Sequence, residues 1–287
     1  MTLHEKLAGK RFGCVLSAGY FGFYGHAGFV DALLSAGLTP SAWAGSSAGG
    51  MVGALAASGL DRAHVCDAIL KVSRADFWDP DPLGIAWDMV RPGHRAGGLL
   101  KGSKFQGLLE RHLKVRRFED CPAPMLIAVT NLTTQSTEVI TTGDLPSAVL
   151  ATCAYPGLFA PVVREGALLW DGGIVDKAPA LALSDAGHGL DALLVHYLPS
   201  RDAVAGPKGA FAYASGMAGG MVASRKDHFR LQLEVLRARG VEVYVVTSQL
   251  PAVSPTTMHV GPQAMEAGRQ SLRQALSSAP TGWQGTA

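Results

Sequence analysis

The chain has 287 residues, 48% of them apolar and 17% charged, with a formal net charge of +2 when the histidines are neutral. That much apolar sequence can bury a substantial core and excludes disorder as the main state. The sparse, nearly balanced charge gives no footprint for nucleic acid.

Met1 to Arg11 is polar and is followed by Arg11 to Ser17, a short apolar run that reads as a first buried strand. Gly19 and Gly22 break that run too soon for a signal peptide or a membrane span, so we expect a cytoplasmic protein that meets membranes at most from their surface. A Gly- and aromatic-rich turn leads into a helix from about His26 to Leu38. Ser41 to Gly45 is a second strand, Ala48 to Leu60 a small-residue helix, and Asp61 to Ser73 another helix.

From about 76 to 104 the pattern breaks up around Phe77, Trp78, Pro80, Pro82, Trp87 and Pro92, as an irregular insertion would. Phe105 to Leu113 is predicted helical, Pro124 to Thr130 and Glu138 to Thr142 as strands, and Ala148 to Ala151 as part of a short helix. Leu168 to Asp171 is a strand, Pro179 to Ala186 a helix, and Ala192 to Tyr197 a strand. Arg225 to Arg239 is a helix, Val241 to Thr247 a late strand, and Gln263 to Leu276 a final helix. Such alternation predicts a single α/β domain over 1–287, its mostly parallel central sheet flanked by helices on both faces.

Cys14, Cys66, Cys121 and Cys153 form no CxxC pair, which removes the usual signature of a zinc or dithiol site; we expect free thiols and no metal or other cofactor. Gly45-Ser46-Ser47-Ala48-Gly49 fits GxSxG. The letters alone also suit a helix start in a Gly-rich chain, but here they stand between a predicted strand and a predicted helix, the sharp turn that lifts a serine above a sheet. Tiny neighbours at 45, 48 and 49 let the backbone reverse, and Ser47, centred between the glycines, is a better nucleophile candidate than Ser46.

A serine hydrolase also needs donors for an oxyanion. The loop Ala18 to Phe23 follows the first strand, and Gly19, Tyr20 and Gly22 make it the candidate, with the N–H groups of Gly19 and Tyr20 as donors and Gly22 aiding the turn. The glycines at 19, 22, 25 and 28 miss the GxGxxG spacing of a dinucleotide loop, and no lysine follows them as in a Walker loop. For the base, an α/β-hydrolase order would require a downstream histidine, and His188, His196, His228 and His259 lie in no distinctive loop. Asp171, ending a strand in Trp170-Asp171-Gly172-Gly173, is the other candidate, its two glycines permitting close backbone approach.

Three ordered segments resemble the patatin-like phospholipases. They are Leu16 to Gly19 with His26 to Phe29, then Gly45 to Gly49, then Ala154-Tyr155-Pro156-Gly157-Leu158-Phe159-Ala160-Pro161 joined to Asp171-Gly172-Gly173, Asp176 and Pro179; together they span about 11–180. The resemblance implies a three-layer α/β/α fold and acyl-ester hydrolysis of lipids, as a phospholipase A, lysophospholipase or carboxylesterase. It also implies a Ser-Asp dyad, Ser47 with Asp171, without histidine or metal. The family's glycine-rich loop usually carries an Arg or Lys, whereas an ungapped match places Ala18-Gly19-Tyr20-Phe21-Gly22-Phe23 there. That departure motivates a second reading, a catalytically weak lipid-binding or regulatory module; a Ser-His-Asp triad that uses a downstream histidine is a further alternative.

Trp78 and Trp87 beside Arg91, His94, Arg95, Lys101 and Lys104, with the basic stretch Arg111 to Arg117, suit a packed loop with a solvated face first, and contact with an anionic lipid surface second. Ala212 to Ala223, with Met217 and Met221, reads as an acyl-pocket wall or as an ordinary loop.

Overall fold

The computed structural model describes residues 1–82, 98–200 and 212–282, and side chains of the helix that starts at Ala212 from residue 219 onward. Strands β1 (Phe12–Leu16), β2 (Ala42–Ser46) and β3 (Met125–Asn131) are buried along their whole length, as the continuous apolar runs demand. β4 (Ser136–Ile140), β5 (Val162–Arg164) and β6 (Ala167–Asp171) follow, then buried β7 (Ala192–Tyr197) and half-buried β8 (Glu242–Thr247). The path through the sheet runs β5-β6-β3-β2-β1-β7-β8, with β4 also paired to β3. β3, β2, β1, β7 and β8 are mutually parallel, while β4, β5 and β6 pair antiparallel.

The register around β3 decides where the site forms. Ile127 pairs with both Gly45 of β2 and Ile140 of β4, and Val129 with both Glu138 of β4 and Asp171 of β6. A strand has two edges, so β2 and β6 share the edge opposite β4. β2 ends there at Ser46, opposite Ala128, and β6 takes over one residue later with Asp171 opposite Val129.

Helices cover both faces. Cys14, Leu16, Trp43 and Leu194 point to one side, into a core with α2 (Phe23–Ser35), α3 (Ala48–Ala57), α4 (Arg62–Leu70) and α9 (Gly261–Ser277). Val15, Ala44, Leu193 and Val195 point to the other, against α7 (Ala180–Asp185) and α8 (Ala212–Ala238) through Leu183, Phe229, Leu233 and Leu236. This is the expected three-layer arrangement. α1 (Leu3–Leu7), α5 (Ser103–His112) and α6 (Leu145–Thr152) complete the helices used below. Among the described residues no helix is long and apolar enough to cross a membrane.

Several boundaries differ from the sequence reading. α2 begins at Phe23, before the expected His26, because Gly25 and Gly28 are there for packing rather than for a turn: a Cβ on Gly28 would lie 1.8 Å from the Met265 carbonyl oxygen, and one on Gly268 2.0 Å from that of Gly25. α1 was not expected; a capping box between Thr2 and Glu5 starts it, and Leu3 and Leu7 bury its apolar side. β5, three residues long, was also missed. α8 extends back through Ala212, so the 212–223 stretch is helical, which corrects the loop reading; the Met217 side chain lies outside the described residues. Within the insertion, Trp78 is packed partly against the core beneath the Arg74 guanidinium, 4.0 Å from its ring, as the packed-loop reading has it. Trp87, Arg91, His94 and Arg95 lie outside the described residues.

Candidate active site

Gly45, Ser46, Ala48, Gly49 and Gly50 are all buried, and Ser47 between them is not. β2 ends at Ser46 and α3 starts at Ala48, so the whole reversal falls on Ser47, whose φ of 53° and ψ of −124° are rarely adopted by a residue with a side chain. The turn closes only with glycine at two places. A Cβ on Gly45 would sit 2.5 Å from the Gly49 backbone, and one on Gly49 2.1 Å from the Leu16 carbonyl oxygen.

The Ser47 hydroxyl donates to Asp171 Oδ2 at 2.6 Å. The Ser47 N–H donates to Thr152 Oγ1 at 2.8 Å, and the Thr152 hydroxyl donates onward to the Ala128 carbonyl at 2.6 Å, tying the turn to β3 and α6. Asp171 is held as firmly. Its second oxygen, Oδ1, accepts from the Gly173 N–H at 2.7 Å, its backbone N–H donates to the Ala154 carbonyl, and its carbonyl accepts from the Thr130 hydroxyl. Gly172 and Gly173 are needed for this turn to lie over β2 and β3: a Cβ on Gly172 would meet the Ala128 carbonyl at 2.1 Å, and one on Gly173 the Ala18 side chain at 2.4 Å. Ser46 Oγ is packed under the same turn, fully buried and without a hydrogen-bond partner among the described residues, which leaves Ser47 as the serine placed on the carboxylate.

Burial pushes the Asp171 carboxyl up to about 6; hydrogen bonds from Ser47 and Gly173 and the Arg225 charge restrain the rise. A buried carboxylate that titrates near neutrality, bonded to a serine on a strained turn, can take that serine's proton at ordinary pH.

Gly19 and Tyr20 follow β1 and Ala18, whose side chain lies against the Gly173 turn. Among the described residues their N–H groups donate to no acceptor, while the Gly22 N–H closes the loop onto the Gly19 carbonyl at 2.8 Å. Gly22 is also the residue that enters α2. Tyr20 is 58% exposed, with its ring centroid 6.5 Å from that of Tyr155, which is 40% exposed, so aromatics from two loops border the site.

None of the described histidines is bonded to the pair. His196 is fully buried and pairs Nδ1 to Nδ1 with His26 at 2.8 Å. His26 Nε2 donates to the Ser17 carbonyl and His196 Nε2 accepts from Ser248 Oγ, a pattern that two neutral rings satisfy. Burial pushes His26 down to about 3 and His196 well below its ordinary value. His188, His228 and His259 form no hydrogen bond to Ser47 or Asp171. Among the described residues no group of three or more His, Cys, Asp or Glu side chains is placed to hold a metal ion, and the four cysteines are free. Thr152, Thr130, Lys177 and Arg225 were not singled out from the sequence, because no local motif marks them; only the strand register brings them here.

A family model described as patatin-like phospholipase matches residues 14–184. An uncharacterized NTE family protein of Mycobacterium tuberculosis is 30% identical over 158 residues, 54% of this chain and 41% of that protein. Lysophospholipase NTE1 of Mycosarcoma maydis is 28% identical over 189 residues, 64% of this chain and 10% of that protein. The chain therefore spans less than half the length of either relative. Among solved structures, VipD from Legionella pneumophila is similar with a TM-score of 0.52 at 16% identity, covering 94% of this chain and 67% of that one, a likeness of fold.

Proposed function

The chain belongs to the patatin-like phospholipase family, and from that premise we propose that it hydrolyses acyl esters of lipids through Ser47 and Asp171. The observation that carries this reading is the 2.6 Å hydrogen bond from the Ser47 hydroxyl, on its positive-φ turn, to a carboxylate buried at the end of β6.

In the proposed reaction Asp171 Oδ2 accepts the hydroxyl proton as Ser47 Oγ attacks the ester carbonyl carbon. The tetrahedral oxyanion is met by the N–H groups of Gly19 and Tyr20, near the N-terminal end of α3. Collapse expels the alcohol, which takes its proton from Asp171, and leaves an acyl-Ser47 ester. Water then attacks that ester while Asp171 accepts its proton, and Ser47 is regenerated as the fatty acid leaves. Exposed Tyr20 and Tyr155 suit an acyl chain better than a polar group. Lysophospholipid is the substrate class that the fungal relative's name brings to this chain.

The purified chain is expected to release fatty acid from a lysophospholipid and to hydrolyse p-nitrophenyl butyrate. Since the base acts only when ionised, kcat/KM should rise with pH through a midpoint near 6 and then level off. Replacing His188, His228 or His259 singly by Gln should leave turnover within about twofold, surface changes of this kind being nearly neutral. Loss of activity in one of these variants would point to a triad instead.

A further inference from the structure

Beyond the family-matched residues, α8 sends one side chain back to the base. Arg225 Nη1 donates to the Gly173 carbonyl at 3.0 Å and Nη2 to Ser200 Oγ at 2.9 Å. Lys177 Nζ donates to the same Ser200 oxygen at 3.0 Å, and the Lys177 side chain is almost wholly buried. The Lys177 backbone carbonyl in turn accepts from the N–H of Ala18, the residue that leads into Gly19 and Tyr20.

We propose that Arg225 is a positioning residue for the Ser47–Asp171 pair, pinning the Gly173 turn from outside and, through Ser200 and Lys177, tying that turn to the Gly19–Tyr20 loop. This rests on the reading of Asp171 as base.

Gly173 carries no side chain, and a Cβ there would collide with Ala18, so packing alone cannot fix its dihedrals. Its N–H must nevertheless keep pointing at Asp171 Oδ1. A guanidinium can hold the Gly173 carbonyl and Ser200 Oγ at once because its donors diverge in a rigid plane, which an ammonium cannot reproduce. Arg225 is also the cation that acts on Asp171. The other titratable groups around this turn and Arg225 are the Cys153 thiol at the end of α6, pushed well up by burial and then by Asp171 itself, Lys177, pushed down to about 7 by burial and then by Arg225, the Tyr197 hydroxyl, pushed up to about 12 by burial against the Arg225 charge, and the Asp176 carboxyl, raised by burial and bonded to Gln232. The Cys153 thiol stays neutral, and Lys177, charged below about pH 7, does not act on Asp171 as Arg225 does. Among the described residues no carboxylate is hydrogen-bonded to Arg225 or Lys177, and the Arg225 charge favours the ionised base.

The test is steady-state kinetics of Arg225→Gln, Arg225→Lys and Ser200→Ala on p-nitrophenyl butyrate from pH 5 to 9, with thermal unfolding of each protein. Arg225→Gln should lower kcat roughly 10- to 100-fold through misplacement of the base, leave KM nearly unchanged, and move the acidic limb up by about one unit. Arg225→Lys should restore the limb but only part of kcat. Ser200→Ala should lower kcat severalfold with the limb unmoved, and it carries the test if Arg225→Gln does not fold. Wild-type kcat and limb in folded Arg225→Gln would overturn the proposal, as would wild-type kcat in Ser200→Ala. Ser47→Ala in the same assay separates the two claims: if it is inactive while the Arg225 variants behave as wild type, only the positioning role fails, whereas an active Ser47→Ala removes the dyad itself.

Discussion

Asp171→Asn is expected to lower kcat for acyl-ester hydrolysis by about three orders of magnitude, within the range that general-base catalysis contributes, while the protein stays folded. Asparagine has nearly the shape of aspartate. Its Oδ1 can still accept from the Gly173 N–H, and its amide can donate to Ser47 Oγ, so the geometry survives while the proton acceptor is lost. The fold should not suffer. Burial raises the Asp171 carboxyl from 3.8 to about 6, so its contribution to stability is full below pH 4 and is lost as pH rises through 6, a loss of roughly 3 kcal/mol. The neutral amide avoids that loss, and at pH 8 the variant should unfold at or above the wild-type temperature. Turnover within tenfold of wild type, in a protein of unchanged Tm, would remove Asp171 from the mechanism.

Gly49→Ala should have a comparably large effect on folding. The added methyl would lie 2.1 Å from the Leu16 carbonyl oxygen, 2.4 Å from its carbon and 2.7 Å from the Ser17 carbonyl oxygen, backbone at the end of the central strand β1. Backbone in the middle of a parallel sheet cannot step aside as a side chain can, so the cost belongs at the upper end for overpacking, about 3 kcal/mol or more. Gly219→Ala and Gly220→Ala serve as controls. Both positions lie in α8 with nothing within 4 Å of an added methyl, and there the same substitution should stabilise by about 0.5–1 kcal/mol. Urea unfolding of the three variants reads the contrast; a Gly49→Ala protein as stable as wild type would mean that the turn is looser than described.

Much of the fold was legible because it depends on local pattern. The apolar runs at 12–16, 42–46 and 192–197 have no polar face and could only be strands covered on both sides. The start of α2 was read three residues late because Gly25 and Gly28 resemble turn glycines until α9, more than 200 residues away, is seen against them. β5 is too short for alternation to register. For the candidate site, Ser47 was readable from its strand-to-helix setting, while Asp171 was chosen chiefly through the family resemblance. That the two meet depends on β6 replacing β2 on one edge of β3, a register that no local motif encodes. Arg225 and Lys177 were invisible for the same reason, being ordinary basic residues until the chain brings them to Gly173 and Ala18.

The central claim, that Ser47 is a nucleophile driven by Asp171, is tested most directly by intact-mass measurement after exposure to an alkyl fluorophosphonate, whose phosphorus captures an activated serine. Wild type should gain one adduct that maps to Ser47, Asp171→Asn should gain it far more slowly, and Ser47→Ala should gain none. A wild-type protein that hydrolyses esters yet takes no label, or a Ser47→Ala variant labelled as fully as wild type, would contradict the account.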